Sequence, residues 1–188
     1  MTFDTRRSVL RKLALGTAAL VLSRLAPAGA AAVTPATGKR WVAGQALDIT
    51  FTVATQAGGR VRRPYVAVWI EDAQGNPVRT LTVWAQTTGR GPRWIPDLRR
   101  WYRENGELLD TVSGPTRNPG TYAVVWDGKT DRGVLAPQGD YYVCIETARE
   151  HGPYSLVREK VTVGATAFKK TLTADNDIEA ASVSFGKA

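Results

Sequence analysis

Cysteine and histidine are nearly absent from the 188 residues. Cys144 is the one thiol, so no disulfide can form within the chain, and the fold must rest on burial and backbone pairing even in an oxidising compartment. His151 is the one imidazole, and without a clustered Cys/His set no zinc or haem site built from this chain alone is expected. Internal repeats and low-complexity tracts are missing too. The apolar run Leu13 to Leu22 is about half of the ~20 residues that cross a bilayer, which argues against a permanent membrane anchor. No triad, paired-carboxylate site, phosphate loop or metal-ligand set stands out, so an independent enzyme is not expected. Hydrophobic residues at 43% and charged ones at 22% suit a packed soluble core rather than disorder.

The formal charge of +8 divides evenly. Residues 1–30 hold Arg6, Arg7, Arg11, Lys12 and Arg24 against Asp4, a net +4, which leaves +4 for the rest and weakens any nucleic-acid reading. Residues 1–32 have the three parts of a secretory signal: Thr5-Arg6-Arg7-Ser8-Val9-Leu10-Arg11, the apolar run, and small residues ending Ala28-Gly29-Ala30-Ala31-Ala32. The paired arginines before an Ala/Gly-rich core resemble the twin-arginine type, which implies the twin-arginine translocase as partner, the periplasm as destination and cleavage after Ala30 or Ala32. An amphipathic helix packed on the domain is the alternative, but Leu13 to Leu22 is apolar on every face rather than along one stripe.

Residues 33–40 read as a Pro/Gly/Thr linker, and residues 41–188 as one domain. Short runs rich in β-branched and aromatic residues predict strands near 46–54, 64–71, 77–84, 120–126, 139–148, 154–163 and 177–185. In the first, Leu47, Ile49, Phe51 and Val53 fall on one face, and Asp48, Thr50 and Thr52 on the other. Gly75-Asn76-Pro77 joins the second and third as a hairpin. The connection 85–119 is a long insertion too aromatic to be disordered. Within it Pro96 and Asp97 suit a first helical turn and Asn105-Gly106 a stop, predicting a short helix over 94–106.

From Trp126 the chain reads Trp126-Asp127-Gly128, then Asp131, Gly133, Gly139 and Tyr141. This resembles the W-D-G-x-x-D-x-G-x-x-x-x-x-G-x-Y signature of immunoglobulin-like domains of the flagellar-hook-cap type. The expected fold is therefore an all-β, immunoglobulin-like antiparallel β-sandwich with one short helical insertion, behind a cleavable signal helix. Trp126 should anchor a strand end in the core, Asp127-Gly128 start a turn, Asp131 cap the loop and Gly139 release the chain into the next strand. With the leader, the Trp/Arg-rich insertion and Ala148-Arg149-Glu150-His151-Gly152, residues 40–165 resemble the bacterial exported family called domain of unknown function 2271. That resemblance implies a periplasmic setting beside membrane electron-transfer proteins and FAD:protein FMN transferase.

Asp110-Thr111-Val112-Ser113-Gly114-Pro115-Thr116 is similar to the D-x-x-[ST]-G-A-[ST] pattern for covalent FMN attachment. Asp110, Ser113, Gly114 and Thr116 match it, with Thr116 as the hydroxyl that would be esterified, while Pro115 replaces the usual alanine and fixes φ. A plain Ser/Gly/Pro/Thr turn is the other reading of the same residues. Arg93, Trp94, Arg99, Trp101 and Arg103 form a candidate surface for docking a partner or an anion, against which stands a helix whose Trp94, Leu98 and Trp101 simply cover a sheet. His151 is read as a turn residue, Cys144 as a buried hydrophobe, and Asp127, Asp131 and Asp140 as turn chemistry rather than a calcium loop. Two functions are carried forward. One is a periplasmic accessory or binding protein of a membrane-associated redox system bearing FMN; the other is a non-enzymatic structural or ligand-binding module of the cell envelope.

Overall fold

A computed structural model describes residues 38–56 and 62–188. The expected signal region 1–32 and most of the expected linker lie outside the described residues. Among the described residues nine strands form two sheets: β1 (Gln45–Val53), β2 (Tyr65–Asp72), β3 (Pro77–Trp84), β4 (Ser113–Gly114), β5 (Gly120–Trp126), β6 (Gly139–Ala148), β7 (Tyr154–Val163), β8 (Phe168–Leu172) and β9 (Ile178–Lys187). One sheet has the order β5-β1-β9-β8 and the other β4-β3-β2-β6-β7. Every long pairing is antiparallel. Alternation in β1 sends Leu47, Ile49, Phe51 and Val53 inward, where they meet Val66, Val68, Ile70, Val143, Ile145 and Val161 of the facing sheet.

The connectivity is immunoglobulin-like. In that fold strands B and E pair in one sheet and C and F pair in the other; β1 and β5 take the first two places and β2 and β6 the second two, with β7 beside β6. β9 lies against the far side of β1, where an immunoglobulin domain puts its first strand. Tyr141, near the start of β6, donates its hydroxyl to the Pro137 carbonyl at 2.5 Å, the back-reaching tyrosine bond typical of this corner.

The Trp126 loop behaves largely as its spacing predicts. Trp126 is fully buried and donates its indole N–H to the Lys129 carbonyl at 2.8 Å. Asp127 accepts the Lys129 amide at 3.0 Å. Asp131 departs from expectation: its carboxylate accepts the Thr80 amide at 3.1 and 3.2 Å, so it pins the loop to β3, while the Thr130 hydroxyl accepts the Val134 amide and closes the turn. Gly128 holds φ +79° with the Trp41 ring laid against it; a Cβ there would sit 2.3 Å from that ring. Gly128→Ala should therefore cost about 2–4 kcal/mol, combining a disfavoured backbone with overpacking. A shift of the urea midpoint at constant slope is the measurement, and an unchanged midpoint would contradict it.

The insertion forms a third layer on the outer face of the five-stranded sheet. A 3₁₀ turn (Gly91–Asp97), α1 (Arg99–Asn105), a second 3₁₀ turn (Gly106–Leu108) and α2 (Leu109–Val112) succeed one another. The single helix expected over 94–106 is thus broken. Pro96 lies inside the first turn, and Leu98, with ψ 70°, separates it from α1. Ile95, Leu98 and Trp101 bury against Tyr65, Ala67, Trp69, Val83 and Cys144, with Trp94 partly buried beside them. This second cluster covers Cys144, and burial pushes its thiol well above the ordinary range, so it packs as a small hydrophobe.

Candidate functional site

Residues 54–56 and 62–64 of the β1–β2 connection, the β6–β7 connection, the start of the insertion and the segment after β4 gather at one end of the sandwich, where immunoglobulin variable domains carry their binding loops. Thr116 lies there. β4 pairs in parallel with β3, Val83 opposite Ser113 and Trp84 opposite Gly114, and the Ala85 amide donates to the Gly114 carbonyl at 2.9 Å. That short pairing holds Ser113 and Gly114 in place and leaves Pro115 exposed and Thr116 half-buried. Asp110 stands exposed in α2.

Two hollows share Thr116, Arg63 and Gln86 in their walls. One, about 270 Å³, is also lined by Arg62, Tyr65 and Glu150. The other, about 470 Å³, runs past Ala85, Thr88, Ser113 and Pro115. Arg63 is oriented by donating to the Asn118 side chain at 2.8 Å, and Arg62 pairs with Glu150. The Tyr65 hydroxyl donates to the Gly91 carbonyl at 3.0 Å, tying the insertion to this end. Arg117 lies over the rings of Trp84 and Tyr122, at 4.8 and 5.6 Å. Sequence reasoning singled out Thr116 but not Arg62, Arg63, Tyr65 or Glu150. The adjacent arginines before the second strand were the one visible signal.

The candidate docking set is brought together only in part, Trp94 and Arg99 lining one small hollow while Trp101 and Arg103 lie apart from it. Trp101 is fully buried and its indole donates to Thr80 Oγ1 at 3.2 Å, so it meets the sheet and has no surface for a partner. Arg93 lies over Trp94, Arg99 lies over the Tyr154 ring, and Arg103 projects into solvent beside Glu104. A different arginine, Arg100, turns inward. Its Nε and Nη2 donate to the two oxygens of Glu71 at 2.7 and 2.8 Å, Arg158 Nε adds a bond of 2.8 Å and the Trp69 indole one of 3.0 Å. Asp127, Asp131 and Asp140 are likewise dispersed, Asp140 being bonded to Lys160 and Thr162.

Glu71 gives the insertion a pH dependence. Burial works to raise its carboxyl, yet hydrogen bonds from Arg100, Arg158 and Trp69 outweigh that and hold it below the ordinary value of 4.5. A carboxyl depressed on folding stabilises the fold above its unfolded pKa and loses that contribution as the pH falls through the folded one. Trp69 fluorescence should accordingly stay constant above pH 4.5 and change only in more acidic solution. In Glu71→Gln this acid-dependent component should vanish; an identical acid transition in both proteins would refute the assignment.

A family model described as predicted periplasmic protein (DUF2271) matches residues 46–180, which take in the strands from β1 to β8, the insertion, the loops around Thr116 and the first residues of β9. No curated protein and no solved structure matches the chain. By this match the chain belongs to the DUF2271 family of predicted periplasmic proteins.

Proposed function

We propose that this domain is a periplasmic accessory of a membrane-associated redox system and that it takes FMN on Thr116. The observation that carries the reading is the placement of Thr116 in the wall common to two hollows, beside the Arg63 guanidinium. Thr116 is half-buried rather than packed away, and its side chain makes no hydrogen bond among the described residues. Arg63 would offset the charge of a phosphate diester, with Arg62 one residue away. The hollows, about 270 and 470 Å³, fall in or near the ~300–1,000 Å³ range of pockets for drug-sized ligands. In the transfer, the Thr116 oxygen attacks the FMN phosphorus of FAD, the pyrophosphate P–O bond breaks, AMP leaves, and the hydroxyl proton passes to solvent or to the transferase. Bound there, the flavin would supply one- and two-electron chemistry that no side chain of this protein offers.

Co-expression with an FMN transferase tests this directly. The expected result is in-band flavin fluorescence on a denaturing gel from the wild type and from Ser113→Ala, and none from Thr116→Ala. A dark wild-type band, with the transferase shown active on a control substrate, would favour the ligand-binding or structural envelope module instead.

A further inference from the structure

On the other side of the β6–β7 turn from Thr116 lies a smaller hollow of about 160 Å³, walled by Trp94, Asp97, Arg99, His151, Pro153 and Tyr154. We infer that it is a second ligand site, which binds a small monoanionic carboxylate between Arg99 and His151. The inference does not depend on flavin attachment.

Arg99 and Arg100 are neighbours in sequence with opposite fates. Arg100 is consumed by Glu71, whereas Arg99 has no ion-pair partner among the described residues. Instead its guanidinium carbon lies over the Tyr154 ring at 4.5 Å. A guanidinium resting on an aromatic face keeps its N–H edges free in its own plane, which is the geometry that receives a carboxylate. The platform is rigid because the Tyr154 hydroxyl donates to the buried Glu146 at 2.7 Å.

His151 supplies a second polar wall. It is one of two described non-glycine residues with positive φ, at +56°, in a turn closed by the Gly152 amide on the Arg149 carbonyl at 3.0 Å. The turn needs glycine at 152, because a Cβ there would come within 2.6 Å of the Arg149 Cβ. The imidazole is set edge-on to the Trp94 ring, with centroids 4.7 Å apart. Backbone strain held by a tight turn around a polar side chain is a recurrent feature of functional positions.

The walls also restrict the ligand. Trp94, Pro153 and Tyr154 give apolar flanks, and the volume lies below the ~300 Å³ at which drug-sized pockets begin. Asp97 contributes a negative charge to the wall, which disfavours dianions and leaves a single carboxylate as the matching group. That group has two sources, a free small acid or the C-terminus of a partner peptide.

A single histidine makes the test clean, since labelled-histidine NMR of the whole protein reports one ring. Sodium acetate, a tripeptide with a free C-terminus and its C-amidated form are each titrated against sodium chloride at matched ionic strength. A saturable shift with acetate or the free-acid peptide, absent with the amide and with chloride, is the expected result; acetate alone indicates a free acid, and the peptide binding much more tightly indicates a partner terminus. Arg99→Gln should weaken it at least tenfold. His151→Gly, followed by calorimetry, should abolish binding while the thermal midpoint stays at or above the wild-type value, because glycine adopts this backbone without strain. No saturable shift, an equal response to the amide, or unchanged affinity in Arg99→Gln would overturn the site.

Discussion

Replacing Asp177 with alanine is expected to cost about 3–5 kcal/mol of folding free energy, the usual penalty for removing one member of a buried ion pair. Arg149 and Asp177 are 4% and 0% exposed, and Arg149 Nε donates to Asp177 Oδ2 at 2.5 Å. The pair is embedded in further bonds. Gln56 donates to Asp177 Oδ1 at 2.7 Å, the Asp177 amide donates to Ser155 Oγ at 2.9 Å, and Arg149 also reaches the carbonyls of Ala54 and Arg62. Without the carboxylate a guanidinium is left in the interior with two carbonyls and no counter-charge. A domain of this size typically has only about 5–15 kcal/mol in hand, so much of its stability would go. Replacing both partners with apolar residues should recover a large part of the loss, because the desolvation penalty then disappears from both sides. Urea denaturation of the two single variants and the double variant gives the coupling energy, and a loss below about 1 kcal/mol for Asp177→Ala would show that water reaches the pair.

Glu146→Ala is expected to cost a comparable 3–5 kcal/mol, roughly the loss of two or three charge-assisted hydrogen bonds allowing for non-additivity, but with a different signature. Glu146 points out of β6 into the insertion, where its two oxygens accept the amides of Arg100 and Trp101, each at 2.9 Å. Leu98 at the start of α1 offers no capping side chain, so a strand residue does the capping from below. A seven-residue helix has almost no stability of its own, and this carboxylate joins the Arg100–Glu71 pair in tying it to the sheet. The insertion should therefore open first. Amide exchange over 91–112 should become fast while β1, β2 and β6 keep their protection, and Glu146→Gln should fall between because one acceptor oxygen survives. Uniform loss of protection across the whole domain would mean that the insertion and sandwich unfold as one unit.

The strands were legible because their chemistry is local. Alternation in β1 and the turn glycines around β6 placed them within one or two residues of their observed ends. β8, Phe168–Leu172, escaped because two lysines interrupt a five-residue run whose strand character comes from pairing with β9. β4 is two residues long and exists only because β3 is beside it. The candidate site was harder for the same reason. Composition shows that the insertion is rich in arginine and tryptophan, but whether an arginine faces Glu71, Tyr154 or solvent depends on residues far away in sequence. Thr116 was visible through a short pattern, whereas Arg62 and Glu150 reach it from separate loops.

The place of β9 has a consequence for how the protein is made. β9 separates β1 from β8, and Leu47 meets Phe185 across nearly the whole domain. At roughly 5–20 residues per second, a ribosome delivers that partner several seconds after β1 has emerged. Until then Ile49 and Phe51 have only one neighbouring strand, and the greasy underside of the sheet invites chaperones or aggregation. Closure must therefore come late, and slowly for its size, as expected of pairings between distant segments. A nascent chain stalled before Ile178 would be a substrate for quality control rather than a smaller working domain.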